Sequence, residues 1–365
     1  MVRSGVLQHT LPVTILRREA AVNQDVKVLI PKTGIVPEYL AFYLMVRGST
    51  ILPLVTKHST TVQSVNVPQF DNLLIPVPPP KLQQLLVDDL RAARNARDAK
   101  LVEANALLNG IDDLVLGELD LEVPAPDGRY CYAVKMREIS KQRCDAAYYL
   151  PKFRRVAEAL SACSLPKVPL GQLAASITGG ATPLRAVKTQ YANEGIRFLR
   201  IQNITLSGID LADIKYITED VHNGLLGRSK LEPGDVLMTI TGRIGTAAVV
   251  EGYHLPANIN QHIVRIRLAD KRILPEFLVC FLNSPVGTAL SNRGVTGTTR
   301  IALDYETIRQ IPILLPPAEA QQRIVSEIAK RKEQVRRVRA EAAALWTKAL
   351  EDFESKLLIQ GTEAQ

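Results

Sequence analysis

The sequence predicts an α+β protein in which β-rich domains are joined by long antiparallel coiled-coil helices. Three observations predict it. The chain resembles itself over domain-sized stretches, each copy closes on a long amphipathic helix, and the stretch between those helices alternates short apolar runs with turn residues.

The duplication comes first because it sets the frame. The segment AVNQDVKVLIPKTGIVPEYLAFYL from Ala21 parallels NINQHIVRIRLADKRILPEFLVCFL from Asn258, with Asn23-Gln24 on Asn260-Gln261. After a slip of one residue the offset settles at 238. Pro37-Glu38-Tyr39-Leu40 then falls on Pro275-Glu276-Phe277-Leu278, Thr60-Thr61 on Thr298-Thr299, Pro78-Pro79 on Pro316-Pro317 and Gln83-Gln84 on Gln321-Gln322. A period this long describes two domain-sized units, not a solenoid.

Each copy ends alike: an apolar strand-like run (LLIPV, IPILL), a Pro-Pro stop, a Gln-Gln pair and a helix. Proline cannot continue a strand ladder and suits a helix start, so the boundary follows. The helices are expected over residues 81–119 and 318–358. In the first, Leu82, Leu86, Leu90, Ala93, Leu101, Ala104, Leu108, Ile111 and Val115 recur at steps of three and four, interrupted at Arg97. In the second the stripe is Ile324, Ile328, Val335, Val338, Ala342, Leu345, Ala349 and Phe353. Such spacing suits two helices that pair with each other, and at 1.5 Å per residue each would run roughly 55 to 60 Å. The alternative is a pair of ordinary amphipathic core helices. Leu86, Leu90, Leu101, Leu108, Ile324, Ile328, Val335 and Leu345 are the candidate pairing positions.

Between the helices, GIRFLRIQNI, GDVLMTITG, AAVVEGY and HIVRIRL read as short strands, and Pro275 opens a short helix. Residues 123–166 combine a Pro/Gly-rich linker (VPAPDG) with a helix in LPKFRRVAEALSAC.

Composition narrows the function. A formal charge of +8 and a pI of 9.3 favour a polyanionic partner, although the same excess serves as solvated surface in many proteins. Four cysteines lie far apart with no Cys-x-x-Cys pair and five histidines are scattered, so neither a metal site nor a cofactor is expected. The N-terminal residues lack the apolar core of a signal peptide and no stretch reaches the ~20 apolar residues of a membrane span, which suggests a cytoplasmic protein with reduced thiols. There is no GxxxxGK[ST] phosphate loop, no Asn/Asp-Pro-Pro-aromatic tetrad of an amino-methyltransferase and no nucleophile triad that spacing alone can assemble. The chain is therefore expected not to be an enzyme.

The ordered blocks LGQLAASITGGATP, YANEGIRFLRIQNI, SKLEPGDVLMTITGRIGTAAVV, NINQHIVRIRL, PEFLVCFLNS and GTTRIALDYETIRQIPILLPPAEAQQRIVSEI resemble the target recognition domain and conserved helix of type I restriction-modification specificity subunits. Residues 20–119 resemble the latter part of a first such domain and its helix. The resemblance implies residues 1–79 as a partial first target recognition domain, 80–119 as a central conserved helix, 120–164 as linker, 165–317 as the second recognition domain and 318–360 as the distal helix. It implies sequence-specific binding of double-stranded DNA, with each complete domain reading half of a bipartite site. It also implies paired helices that set the spacing and dock DNA-methyltransferase subunits and the restriction subunit. The first unit has no counterpart to residues 168–247, so a missing N-terminal fragment, a second polypeptide or a second copy would have to complete it. The rival reading is a degenerate assembly or scaffold subunit without useful DNA selectivity.

Phosphate contacts set register on DNA and side chains read base edges, so the candidates lie in loops between strands. Thr178, Gly180 and Thr182, with Arg185 and Lys188 beyond, can bring backbone amides and two cations to phosphate, or can simply form a turn. Arg200, Gln202 and Asn203 combine a guanine-forking cation with adenine-matching amides, or close a strand end internally. Thr241 and Arg243 flank Gly242, which permits close approach or shapes a hairpin. Thr298, Thr299 and Arg300 form a loop shared with the first unit except at Arg300, where the first unit has Val62. The shared pair Asn260-Gln261 reads as structural, bonded to its own domain. The basic run Arg323, Lys330, Arg331, Lys332, Arg336, Arg337 and Arg339 is a solvated helix face or a phosphate or partner surface.

Overall fold

Proline and a buried glutamine set the element boundaries in both copies. The computed structural model describes residues 1, 4–5, 11–57, 63–123, 131–139, 143–183, 191–296 and 301–362, which divide into a first unit (1–106 with 334–365) and a second (107–333).

In the first unit β1 (Ser4–Gly5), α1 (Pro37–Val46), α2 (Gly48–Val55), β2 (Thr56–Lys57), β3 (Gln63–Val65) and α3 (Val67–Asp71) precede the long α4 (Pro80–Glu118). Strand β3 pairs antiparallel with both β1 and β2. Leu11, Leu44, Ile51, Leu52, Val55, Val65 and Phe70 form a small core.

In the second unit α5 (Pro151–Ala162) leads into β4 (Lys167–Pro169), α6 (Leu170–Leu173), β5 (Ala174–Gly179), β6 (Tyr191–Ala192), β7 (Ile196–Leu199), β8 (Ile204–Thr205), β9 (Gly208–Ile209) and β10 (Lys215–Ile217). Then follow α7 (Glu219–Asn223), β11 (Val236–Thr239), β12 (Ala247–Val249), β13 (Ala257–Ile259), β14 (Ile263–Leu268), α8 (Pro275–Asn283), α9 (Pro285–Arg293), α10 (Tyr305–Gln310), β15 (Pro312–Leu314) and α11 (Ala318–Thr362). Two four-stranded sheets, ordered β12-β11-β14-β5 and β13-β7-β10-β6, carry the domain. Strand β11 shows why its run is uniformly apolar. Val236 and Met238 face the core built with Leu173, Phe277, Leu282 and Ile308, whereas Leu237 faces Leu199, Ile204 and Ile259 of the other layer. A strand covered on both faces needs no polar alternation.

The duplication is visible in three dimensions. Pro37 and Pro275 open α1 and α8, Val67 and Tyr305 open α3 and α10, and Pro80 and Ala318 open α4 and α11, all at the offset of 238. Gln83, wholly buried, accepts from the Val36 N–H (2.8 Å) and donates to the carbonyls of Gly34 (2.9 Å) and Pro78 (2.7 Å). Gln321 repeats this with Leu274 (2.9 Å), Arg272 (2.8 Å) and Pro316 (3.0 Å). One amide thus ties the segment before the long helix, the entry of the preceding helix and the long helix itself together in each unit.

Within each unit the long helices run antiparallel. In the first, Lys100 pairs with Glu341 (2.5 Å), Lys356 with Asp89 (2.6 Å), and the Arg97 guanidinium lies 4.9 Å from the Trp346 ring centroid. In the second, Arg331 donates to the Gly110 carbonyl and Arg323 pairs with Glu118 (3.4 Å). Leu86, Leu90, Ile324, Ile328 and Val335 are buried, and Leu108 is half-buried. Leu101 and Leu345 depart from expectation, at 36% and 38% exposed. Ala104, Val338 and Ala342 of the expected stripes are buried, and beside Leu345 the half-buried Trp346 packs toward α4, its ring 4.9 Å from the Arg97 guanidinium.

The apolar run IPILL forms β15, paired antiparallel with β4. Its counterpart LLIPV is not a strand. A strand exists only with a ladder partner, and among the described residues the first unit supplies none at 73–77.

Candidate nucleic-acid interface

The β11–β12 turn, the turn after β7 and the root of β14 bring polar side chains together on one face of the second unit. Arg200 and Gln202 point at one acceptor. Arg200 Nη2 and Gln202 Nε2 both donate to Asp213 Oδ2, at 2.9 and 3.1 Å, and Lys215 lies 4.0 Å from the other carboxylate oxygen. The Arg200 hydrogen bond holds the Asp213 carboxyl below the usual carboxylate range. Arg243 leans across from the neighbouring turn, its Nη2 donating to the Ile204 carbonyl at 3.2 Å while the side chain stays exposed. A guanidinium has five N–H donors, so this anchor leaves others facing outward. Gly242 and Gly245 shape the turn at φ of 65° and 88°, and a Cβ on Gly242 would stand 2.9 Å from the Ile201 side chain.

Thr241 extends the cluster through a chain that sequence reading did not assemble. The Thr182 hydroxyl meets Gln261 Oε1, Gln261 Nε2 lies 3.1 Å from His262 Nε2, and His262 Nδ1 lies 2.9 Å from Thr241 Oγ1. With the amide donating to His262 Nε2, the imidazole carries its proton on Nδ1 and donates to Thr241. Thr241 then keeps its own hydroxyl hydrogen for a further acceptor. The signal for His262 was the pair Asn260-Gln261 beside it, read as internal structure. That reading suits Asn260, whose Oδ1 accepts from the His262 N–H at 3.1 Å. Gln261, by contrast, is exposed.

Two predicted residues serve the frame. Asn203 is 2% exposed, its Oδ1 accepting from the Arg200 N–H (2.9 Å) and its Nδ2 donating to the Asp210 carbonyl (2.8 Å), so it closes the turn internally. Gly180 is buried, and a Cβ there would sit 1.8 Å from the Ile259 carbonyl oxygen, so the glycine is required by close backbone packing against β13. Thr178 lies in the β5 ladder opposite Arg265, half-buried. Arg185, Lys188, Thr298, Thr299 and Arg300 lie outside the described residues.

Two further arginines brace the opposite end of the β11–β14 ladder. Arg267 forks onto the buried Asp235 carboxylate with two 2.8 Å bonds, a strong bidentate geometry. Arg265 donates to the Lys230 carbonyl at 2.6 Å, and burial lowers its pKa. Neither is presented to a ligand. Along α11, Arg331 and Arg337 pair with Glu327 and Glu341, at 3.2 and 3.8 Å, so part of the basic run is neutralised on its own helix. Among the described residues no group of His, Cys, Asp and Glu could hold a metal ion, and no helix is long and apolar enough to cross a membrane.

The profile of the type I restriction modification DNA specificity domain matches residues 8–100 and 167–332, which includes the whole polar face just described. The chain belongs to this family of type I specificity domains. Among curated relatives, the specificity subunit of the type I restriction enzyme EcoBI of Escherichia coli is 29% identical over 135 residues, covering 37% of this chain and 28% of that protein. The EcoR124I/EcoR124II specificity subunit of Escherichia coli is 34% identical over 90 residues, covering 25% of this chain and 22% of that one. The matched stretches therefore span about a quarter of the relatives' length. Among solved structures, the HsdS subunit from Thermoanaerobacter tengcongensis aligns with 88% of this chain and 68% of its own, at 17% identity and a TM-score of 0.40. The S subunit from M. genitalium aligns with 89% of this chain and 73% of its own, at 12% identity and a TM-score of 0.46. Between the two matched stretches of the specificity-domain family lies the linker with α5, which packs on α9 of the second unit.

Proposed function

We propose that this chain is the non-catalytic DNA-recognition subunit of a type I restriction-modification complex, acting in the cytoplasm and without a cofactor. Its second unit reads one part of a duplex target, and the long helices dock DNA-methyltransferase subunits and, through the complex, the restriction subunit. The domain limits proposed are those implied by the resemblance, with 165–317 as the reading domain.

The observation that carries this reading is the convergence, inside the family-matched stretch, of Arg200, Gln202, Arg243, Thr182, Gln261, His262 and Thr241 on one face. Arginine can fork onto guanine O6 and N7, glutamine onto adenine N6 and N7, and hydroxyls serve either. Asn203 and the close packing at Gly180 fix the backbone from which several of these groups project. Arg185, Lys188, Thr298, Thr299 and Arg300 are proposed as flanking contacts, with the cations on phosphate.

The test is duplex binding by the chain assembled with its methyltransferase. A site selected from random DNA should bind far more tightly than the random pool, with affinity falling steeply in salt. Arg243→Ala should cost about 1–3 kcal/mol if the side chain reads a base, relaxing preference at one position. If it touches phosphate, the loss should be uniform across sequences and the salt slope should fall by about one. Equal affinity for selected and random DNA would overturn the reading and leave a scaffold subunit.

A further inference from the structure

Asp213 places a negative charge on the polar face of the second unit, in the turn between β9 and β10, with its side chain 67% exposed. The turn itself is held from both sides. The Asp210 N–H donates to the Asn203 carbonyl at 2.7 Å, and the buried Asn203 amide returns a bond to the Asp210 carbonyl at 2.8 Å. The Ala212 N–H closes on Asp210 Oδ1 at 2.9 Å. The carboxylate therefore projects from a fixed backbone.

Its neighbours use one of its oxygens and leave the other. Arg200 Nη2 directs both of its hydrogens to this residue, one to the Asp213 carbonyl at 2.5 Å and one to Oδ2 at 2.9 Å, and Gln202 Nε2 reaches the same Oδ2 at 3.1 Å. Two donors fill the lone pairs of Oδ2. Oδ1 has only Lys215 near it, at 4.0 Å, beyond hydrogen-bond reach. The Arg200 side chain is 24% exposed and its Nε is buried, so of the two partners it is the aspartate that stands forward. Arg200 also holds the carboxyl below the usual carboxylate range, which makes it an acceptor only at neutral pH.

A carboxylate set against a polyanion repels it everywhere except where a donor meets it. In the major groove the donors are amino groups, cytosine N4 and adenine N6. Adenine N6 stands beside N7 of the same base, an acceptor that repels a carboxylate, whereas cytosine N4 has no acceptor beside it on its own base. The second hydrogen of Gln202 Nε2 suits the guanine O6 across the pair.

We propose that Asp213 reads a cytosine, its Oδ1 accepting from the N4 amino group in the major groove, with Arg200 as the positioning residue that aims it. The inference rests on the DNA-reading function proposed above and names one base pair that the target contains. The same charge rejects a base that presents an acceptor at this point, so Asp213 lowers affinity for duplex in general and raises selectivity.

The test uses the chain assembled with its methyltransferase and a site selected from random duplex. One cytosine in that site, replaced by 2-pyrimidinone, which lacks the amino group, should weaken wild-type binding roughly tenfold. In Asp213→Ala and in Arg200→Ala the same replacement should cost less than about twofold, the coupling expected when side chain and amino group meet. The cycle cancels the weaker base pairing of 2-pyrimidinone, which affects every variant alike. Asp213→Asn keeps an uncharged acceptor on the same frame, and should retain part of the cytosine preference while binding the random pool more tightly than wild type. The inference fails, with selective binding intact, if no cytosine shows the penalty in wild type, if either alanine variant leaves the penalty unchanged, or if Asp213→Ala alters preference at an adenine instead. A wild-type complex that selects no site would overturn the DNA-reading function itself, and this inference with it.

Discussion

Gln321→Ala tests the tie that starts each long helix. The side chain is wholly buried and makes three hydrogen bonds, to the Leu274 N–H at 2.9 Å, the Arg272 carbonyl at 2.8 Å and the Pro316 carbonyl at 3.0 Å. Each such bond is worth about 0.5–1.5 kcal/mol net. Water can reach the Arg272 end but not Pro316, whose stranded carbonyl adds about 1 kcal/mol, and truncation returns about 1–2 kcal/mol of side-chain entropy. The balance is a local loss of roughly 2–3 kcal/mol, or about 30- to 150-fold faster exchange of the Leu274 amide. Exchange is the suitable assay because a chain of two units need not unfold in one step. Gln83→Ala should do the same at Val36 and leave Leu274 untouched, and Gln321→Glu should cost at least as much as alanine because a carboxylate cannot donate to two carbonyls. A change below about threefold at Leu274 in Gln321→Ala, or equal changes at both sites in either variant, would refute the reasoning.

Three further outcomes follow. Asp213→Asn should tighten DNA binding by releasing Arg200 and Gln202 and removing a negative charge. The wild-type carboxyl is held below its usual range by Arg200, so the pair persists in mild acid and breaks only as pH falls through that lowered value. The advantage of Asp213→Asn in a binding titration should therefore be the same at pH 8 and pH 5, and an advantage that vanished by pH 5 would contradict the pairing. Gly180→Ala should destabilise the second unit by at least about 2 kcal/mol, because the new methyl would lie 1.8 Å from the Ile259 carbonyl oxygen, and an unchanged melting curve would show that the loop is not held there. Cys280, its pKa pushed up to about 11 by burial, and the buried Cys163 should resist iodoacetamide at pH 8, whereas the exposed Cys131 and Cys144 react, as read by mass spectrometry.

The parts of the fold legible in the sequence were those set by periodicity and by proline. The bounds of α4 and α11, the opening of α8 at Pro275 and the strands β7, β11, β12 and β14 all follow from apolar spacing and chain-breaking residues. The failures have one cause, a partner that spacing cannot reveal. LLIPV reads as a strand as clearly as IPILL, but only β15 meets a β4. Leu345 fits the heptad as well as Trp346, yet it is Trp346 that packs toward α4. In the candidate site, Arg200, Gln202, Thr241 and Arg243 were recognisable by residue type next to glycine or a strand end. Asp213, which engages the first two, and His262, which links Thr241 to Thr182 through Gln261, come from distant segments and carry no local signature. Asn203 was ambiguous because an amide suited to a base edge suits a backbone carbonyl equally well.

The glutamine tie also bears on how such a molecule can change. Every partner of Gln321 lies within 49 residues upstream of it, downstream of β14, the last strand of the two four-stranded sheets, and those of Gln83 sit at the same separations. The start of each long helix is therefore fixed without reference to the turns that carry Arg200 or Arg243. Those turns can be lengthened, shortened or exchanged as a cassette while the helical register stays put, so under the proposed function a new target preference would leave the helix starts undisturbed.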